Sequence, residues 1–81
     1  MGTRARNELL RALGAAVRAI RLGHGITQER LAELAGLHTT YVSDIERGLR
    51  NVGLINLGRL ASALDIDLPT LMREVEAERH E

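Results

Sequence analysis

An 81-residue chain holds one small domain and is too short for two hydrophobic cores. It has no cysteine, which excludes a disulfide framework and a thiolate metal site, and no apolar run approaches the roughly 18 residues of a membrane span. Eleven basic residues, all arginine, balance eleven acids to a net charge of zero, so the strong uniform field that gathers nucleic acid without regard to sequence is absent.

One proline and no strand-type alternation make the expected class all-α, a compact bundle of about five helices. The first seven residues, MGTRARN, lack apolar periodicity and are expected to fray, with Arg4 and Arg6 solvated. Helix 1 is predicted from about Glu8 to Leu22, where Leu10, Leu13, Val17 and Ile20 repeat at helical spacing before Gly23 and Gly25 end it. Its role is packing. Thr27 is placed to cap helix 2, with Glu29 in the first turn against the positive end of the helix dipole. Leu31, Ala32 and Ala35 give that helix one apolar face, and Gly36 supplies the positive φ that a chain leaving it needs.

Helix 3 is predicted to start at Thr39 with His38 as its cap and to close at Gly48. Only Val42 and Ile45 mark an inner face, so Thr39, Thr40, Tyr41, Ser43, Asp44 and Arg47 are left largely unburied. Two short helices around a glycine turn, crossing closely at the small Ala32, form a helix-turn-helix over residues 28–47. A second helix this polar suits the major groove of duplex DNA better than an ordinary helical hairpin. Charge placement agrees. Residues 1–50 hold eight arginines against five acids, whereas residues 51–81 hold three against six.

Beyond the loop LRNVG, helix 4 is predicted over about Leu54 to Leu64, and Asp67 caps helix 5 with Pro69 in its first turn. Leu68, Leu71, Met72 and Val75 give helix 5 more apolar surface than one neighbour covers, and residues 77–81 are expected to fray. With Tyr41 as the only aromatic, the core is aliphatic and the monomer's stability limited. A two-fold dimer through residues 54–76 is therefore expected, with Leu57, Leu68, Leu71, Met72 and Val75 at the interface. Its recognition helices would lie about 34 Å apart, in successive major grooves.

The stretch GITQERLAELAGLHTTYVSDIERG resembles the lambda-repressor and Cro-type helix-turn-helix family, and the resemblance covers roughly residues 10 to 75. LAGLHTTYVSDIERGLRNVGLINLGRLASALDI is most similar to controller proteins of restriction–modification systems. The resemblance implies a homodimeric transcription regulator bound to a pseudo-palindromic operator. Gln28 would anchor a phosphate; Thr39, Thr40, Ser43 and Asp44 would face the major groove, with His38 and Tyr41 at its edge or on the backbone. Arg47, Arg50 and Asn51 would lie along flanking phosphates, and Arg21 would pair with Glu46 to orient the recognition helix. RNA polymerase enters as a partner only through the resemblance. Many controller proteins carry arginine where this chain has Thr39, which shifts the expected base readout toward thymine-methyl and water-mediated contacts.

Tyr41 has two readings, a contact with DNA through its hydroxyl on a phosphate or its ring on a groove wall, or a ring packed against helix 2. Catalysis is not expected: His24, His38 and His80 lack metal-ligand spacing, no glycine-rich loop follows a strand, and no nucleophile, base and orienter occur together. No cofactor, metal, small-molecule ligand or membrane is expected, and the missing signal-peptide core makes the cytoplasm the expected compartment. The competing reading is an antitoxin or phage or chromosomal repressor of the same fold that also captures a protein partner.

Overall fold

The computed structural model describes residues 2–80, and among them five helices are connected in the order α1 Thr3–Gly23, α2 Gln28–Ala35, α3 Thr39–Glu46, α4 Leu54–Ala63 and α5 Leu68–Arg79. No strand occurs among the described residues, and no helix is long and apolar enough to cross a membrane. The central element is α1. It packs against both α3 and α5, while α2 packs on α3 and α4, and α4 on α5.

Local chemistry explains most of the boundaries. The Thr27 hydroxyl accepts from the Arg30 amide at 3.0 Å and opens α2, and the Asp67 carboxylate does the same for the Thr70 amide at 3.0 Å to open α5. Gly36, at φ 69°, ends α2 in the left-handed region, and the Leu37 amide reaches back to the Ala32 carbonyl at 2.9 Å. His38 caps α3 by backbone position alone, without a side-chain hydrogen bond. The two tails differ from expectation. Residues 3–7 are the first turns of α1, where Arg4 pairs with Glu8 at 3.6 Å, and α5 continues through 77–79, where Arg79 pairs with Glu76 at 2.9 Å. Arginine, alanine and glutamate are good helix formers, so propensity and i,i+3 or i,i+4 pairs extend helices that apolar periodicity alone would stop. A hydrogen bond from the Arg11 guanidinium to the Glu78 carbonyl, 3.0 Å long, joins α1 to the extended end of α5. Met1 and Glu81, also assigned to the fraying tails, lie outside the described residues.

Val17 of α1, Leu31 of α2, Val42 and Ile45 of α3, Leu60 of α4, Leu64 just past the end of α4, and Leu71 of α5 meet in the centre with essentially no exposed surface. Two residues expected at a dimer surface are consumed here. Leu71 is 0% exposed and Val75 4%, because α5 turns its apolar face onto α1 rather than outward. Leu57, Leu68 and Met72 are half-buried against the same core. The large apolar side chains that remain open are Leu22, Leu34, Leu49, Leu54 and Ile55.

The tightest crossing is between α1 and α3. A Cβ on Gly14 would lie 2.4 Å from the Ile45 carbonyl oxygen and 2.6 Å from that of Glu46, so only glycine lets the two backbones touch. Both obstacles are backbone and cannot step aside. Gly14→Ala is therefore expected to destabilise the fold by about 2 kcal/mol or more by pushing α3 off α1. Urea unfolding reads this directly, and an unchanged midpoint would show that the crossing tolerates separation.

Candidate nucleic-acid interface

Eight residues make a helix that is marginal alone, so the position of α3 is set by what it touches. Val42 and Ile45 sink into the core and fix its inner side. Rotation about that seam is set by a buried polar brace. Arg21 of α1 donates from Nε to Glu46 Oε2 at 2.7 Å and from Nη2 to Oε1 at 2.9 Å, a two-pronged contact. Its remaining nitrogen, Nη1, donates to the Ile26 carbonyl at 2.9 Å, and Gln28 Nε2 donates to Glu46 Oε1 at 3.0 Å. The side chains of Arg21 and Glu46 are 9% and 1% exposed. The Glu46 hydrogen bond and charge hold the Arg21 guanidinium above its already high pKa against the opposing effect of burial, so the guanidinium stays charged. Every buried side-chain nitrogen or oxygen among the described residues has a partner.

With the inner side fixed, Thr40 and Arg47 are exposed and Thr39, Ser43 and Asp44 half-exposed, so Thr40, Ser43, Asp44 and Arg47 form a stripe at i, i+3, i+4 and i+7. His38 stands open at one end, and Arg50 and Asn51 are open in the loop beyond the other. The stripe is internally bonded. Arg47 Nη2 meets Asp44 Oδ1 at 2.7 Å, and Arg50 Nε meets Oδ2 at 3.3 Å. Hydrogen bonds from Arg47 first, then Arg50, hold the Asp44 carboxyl below its ordinary range.

Tyr41 lies half-buried against the core, in keeping with the packing reading. Its hydroxyl accepts from Asn56 Nδ2 of α4 at 3.4 Å, and the Arg50 guanidinium carbon sits 5.4 Å from its ring centroid. The residue thus bridges α3, the following loop and α4. Gln28, expected to be free for a phosphate, is half-buried and uses one amide hydrogen on Glu46, which leaves the other N–H and the amide oxygen. Sequence reasoning missed Asn56 and Gly14. It also missed Arg11 and Arg18 of α1, which flank Arg47 along a shallow groove; their spacing of seven was a signal for a shared face.

The helix-turn-helix family pattern matches residues 17–71, from the second half of α1 to the start of α5. Control protein C.BamHI of Bacillus amyloliquefaciens is 43% identical over 67 residues, spanning 82% of this chain and 83% of that one. The chain belongs to the helix-turn-helix family, in its control-protein branch. Membership places this control-protein relative among DNA-binding regulators rather than enzymes. Its fold superposes on the crystal structure of the restriction–modification controller protein C.AhdI from Aeromonas hydrophila with a TM-score of 0.75, at 47% identity over 76% of this chain and 94% of that one. The C.Esp1396I controller tetramer in complex with its natural 35 base-pair operator gives a TM-score of 0.83 at 32% identity, covering 90% of this chain and 96% of that one.

Removing one partner of the brace strands a buried charge. Glu46→Ala or Arg21→Ala is expected to cost about 3 kcal/mol or more, whereas the paired replacement Arg21→Met with Glu46→Leu should be more stable than either single variant. Thermal melting of the three variants checks this; a double variant no better than the singles would mean that the pair contributes net stability rather than orientation.

Proposed function

We propose that the chain is a controller-type transcription regulator of a bacterial cytoplasm that binds a pseudo-palindromic operator as a homodimer. The observation that carries the reading is the short polar α3, braced by Arg21, Glu46 and Gln28 so that Thr39, Thr40, Ser43 and Asp44 lie on its open side. The structural likeness to a controller solved on its operator supports it. In this arrangement α3 enters the major groove and its short threonines contact thymine methyl groups or bridging waters. Gln28 uses its remaining N–H on a phosphate at the start of α2, and Arg47, Arg50 and Asn51 follow the flanking backbone, with His38 and Tyr41 at the groove edge. RNA polymerase is the further partner that regulation of a promoter requires.

A mobility-shift titration with the region upstream of the chain's own gene tests this reading. The double variant Thr39→Ala with Thr40→Ala should lose about tenfold to a hundredfold in operator affinity while binding unrelated DNA as before. Arg47→Ala should weaken operator binding without changing which bases are preferred. A loss confined to one base position would move Arg47 from the backbone to a base.

The dimer surface is assigned to the open side chains rather than to the interior of α5. Leu54 and Ile55, in the first turn of α4, are 70% and 75% exposed and adjacent, the most exposed large apolar pair among the described residues. Leu57, Leu68 and Met72 retain partial exposure and can border that contact. Ile55→Glu should therefore give a folded monomer in sedimentation and lower operator affinity about a hundredfold, through loss of the second half-site. A variant that still sediments as a dimer would place the contact elsewhere.

A further inference from the structure

The net-neutral chain carries two of its DNA-facing arginines on an acid of the same recognition stripe. Arg47 and Arg50, with side chains 63% and 53% exposed, fold back onto the two oxygens of Asp44, whose own side chain is 16% exposed. Arg50 is held from its other side by the Tyr41 ring, and that ring is positioned by Asn56. A carboxylate in the middle of a surface meant for a polyanion is repulsive unless something compensates it. In the free protein the two arginines do so.

We propose that Asp44 is a specificity-determining gate: it keeps Arg47 and Arg50 from phosphates until its carboxylate is taken over by the N4 amino group of a cytosine in the major groove. The inference rests on the operator-binding reading above and adds a residue-level rule to it. Exposed ion pairs of this kind are weak, so phosphates compete for the arginines, which match a phosphate with the same planar fork they offer a carboxylate. Once the arginines leave, Asp44 faces the groove alone. Guanine presents acceptors, thymine a carbonyl and a methyl group, and adenine an amino donor flanked by the N7 acceptor, an arrangement that suits an amide better than a carboxylate, so none of the three pairs Asp44 as well as cytosine does. Cytosine offers the hydrogen-bond donor for which an aspartate is suited. On unrelated DNA, then, the arginines either stay on Asp44 and miss the backbone or desert an uncompensated acid. Both weaken binding, which is discrimination by a built-in repulsion.

The test compares the parent with Asp44→Asn on two probes, sheared genomic DNA and a randomised duplex library from which bound sequences are selected. Asp44→Asn should bind genomic DNA about tenfold more tightly, with a salt dependence steeper by up to about two in slope as both arginines reach phosphates. The parent should select a C·G pair in each half-site, and changing that pair to T·A should weaken it about tenfold while leaving Asp44→Asn nearly unaffected. The base preference of the parent is read without any variant, so misfolding of Asp44→Asn would not protect the proposal. Equal genomic-DNA affinity and equal salt slope for the two proteins would overturn the gate, as would a parent without the cytosine preference. If neither protein binds any duplex, the operator reading itself falls; if the parent binds its operator and the two proteins do not differ, only the gate falls.

Discussion

The buried pair between Arg21 and Glu46 is the contact on which the rest of the molecule depends. A helix of eight residues has too few internal hydrogen bonds to hold itself, and only Val42 and Ile45 of its side chains are fully buried in the core, with Tyr41 half-buried against it. Two apolar side chains define a hinge line more than a direction. The fork of Arg21, closed on both oxygens of Glu46, converts that line into one fixed rotation. Buried ion pairs are weak sources of stability because desolvation offsets their attraction, so the argument for this one is geometric. It also joins three elements at one carboxylate: α1 through Arg21, α2 through Gln28, and α3 itself. Whatever Gln28 does at its free amide atoms is thereby mechanically linked to the angle of the recognition helix.

Close packing serves the same end. Gly14 lets the backbone of α1 rest directly on the carbonyls of Ile45 and Glu46, beside the residue that the brace holds. A glycine inside a long helix is intrinsically unfavourable, by about 0.5–1 kcal/mol relative to alanine. Its place here makes sense only if the short distance to α3 outweighs that loss. The aliphatic core has no large ring to absorb misfit, so backbone contact and the polar brace together set the position of α3.

Much of this was readable from local chemistry, and the rest failed for identifiable reasons. Thr27, Gly36 and Asp67 announce helix ends because capping depends on one residue and its immediate neighbours. The inner faces of α2 and α3 follow from spacing alone. The early start of α1 at Thr3 does not, since residues 3–7 carry no apolar signal and are held helical by propensity and the Arg4–Glu8 pair. Leu71 and Val75 show the same limit from the other side. Spacing puts them on an apolar face, but whether that face meets α1 or a second chain is a tertiary fact. The packing of Tyr41 was one of the settings its sequence allowed, but its partners Arg50 and Asn56 were not legible, because they stand at no regular spacing from it.

Charge arrangement extends the argument from shape to selectivity. A net charge of zero means that attraction to duplex DNA has to come from placement rather than from total charge. The basic excess lies in the half with the helix-turn-helix, yet within that half Asp44 engages two of the arginines nearest the recognition stripe. The positive surface visible to an arbitrary duplex is smaller than the count of arginines suggests. For a regulator that has to find a few sites among a genome of competitors, the ratio of specific to nonspecific affinity matters more than either value. In the proposed gate, withholding charge until the correct bases are present raises that ratio by penalising the wrong duplex as well as bonding the right one.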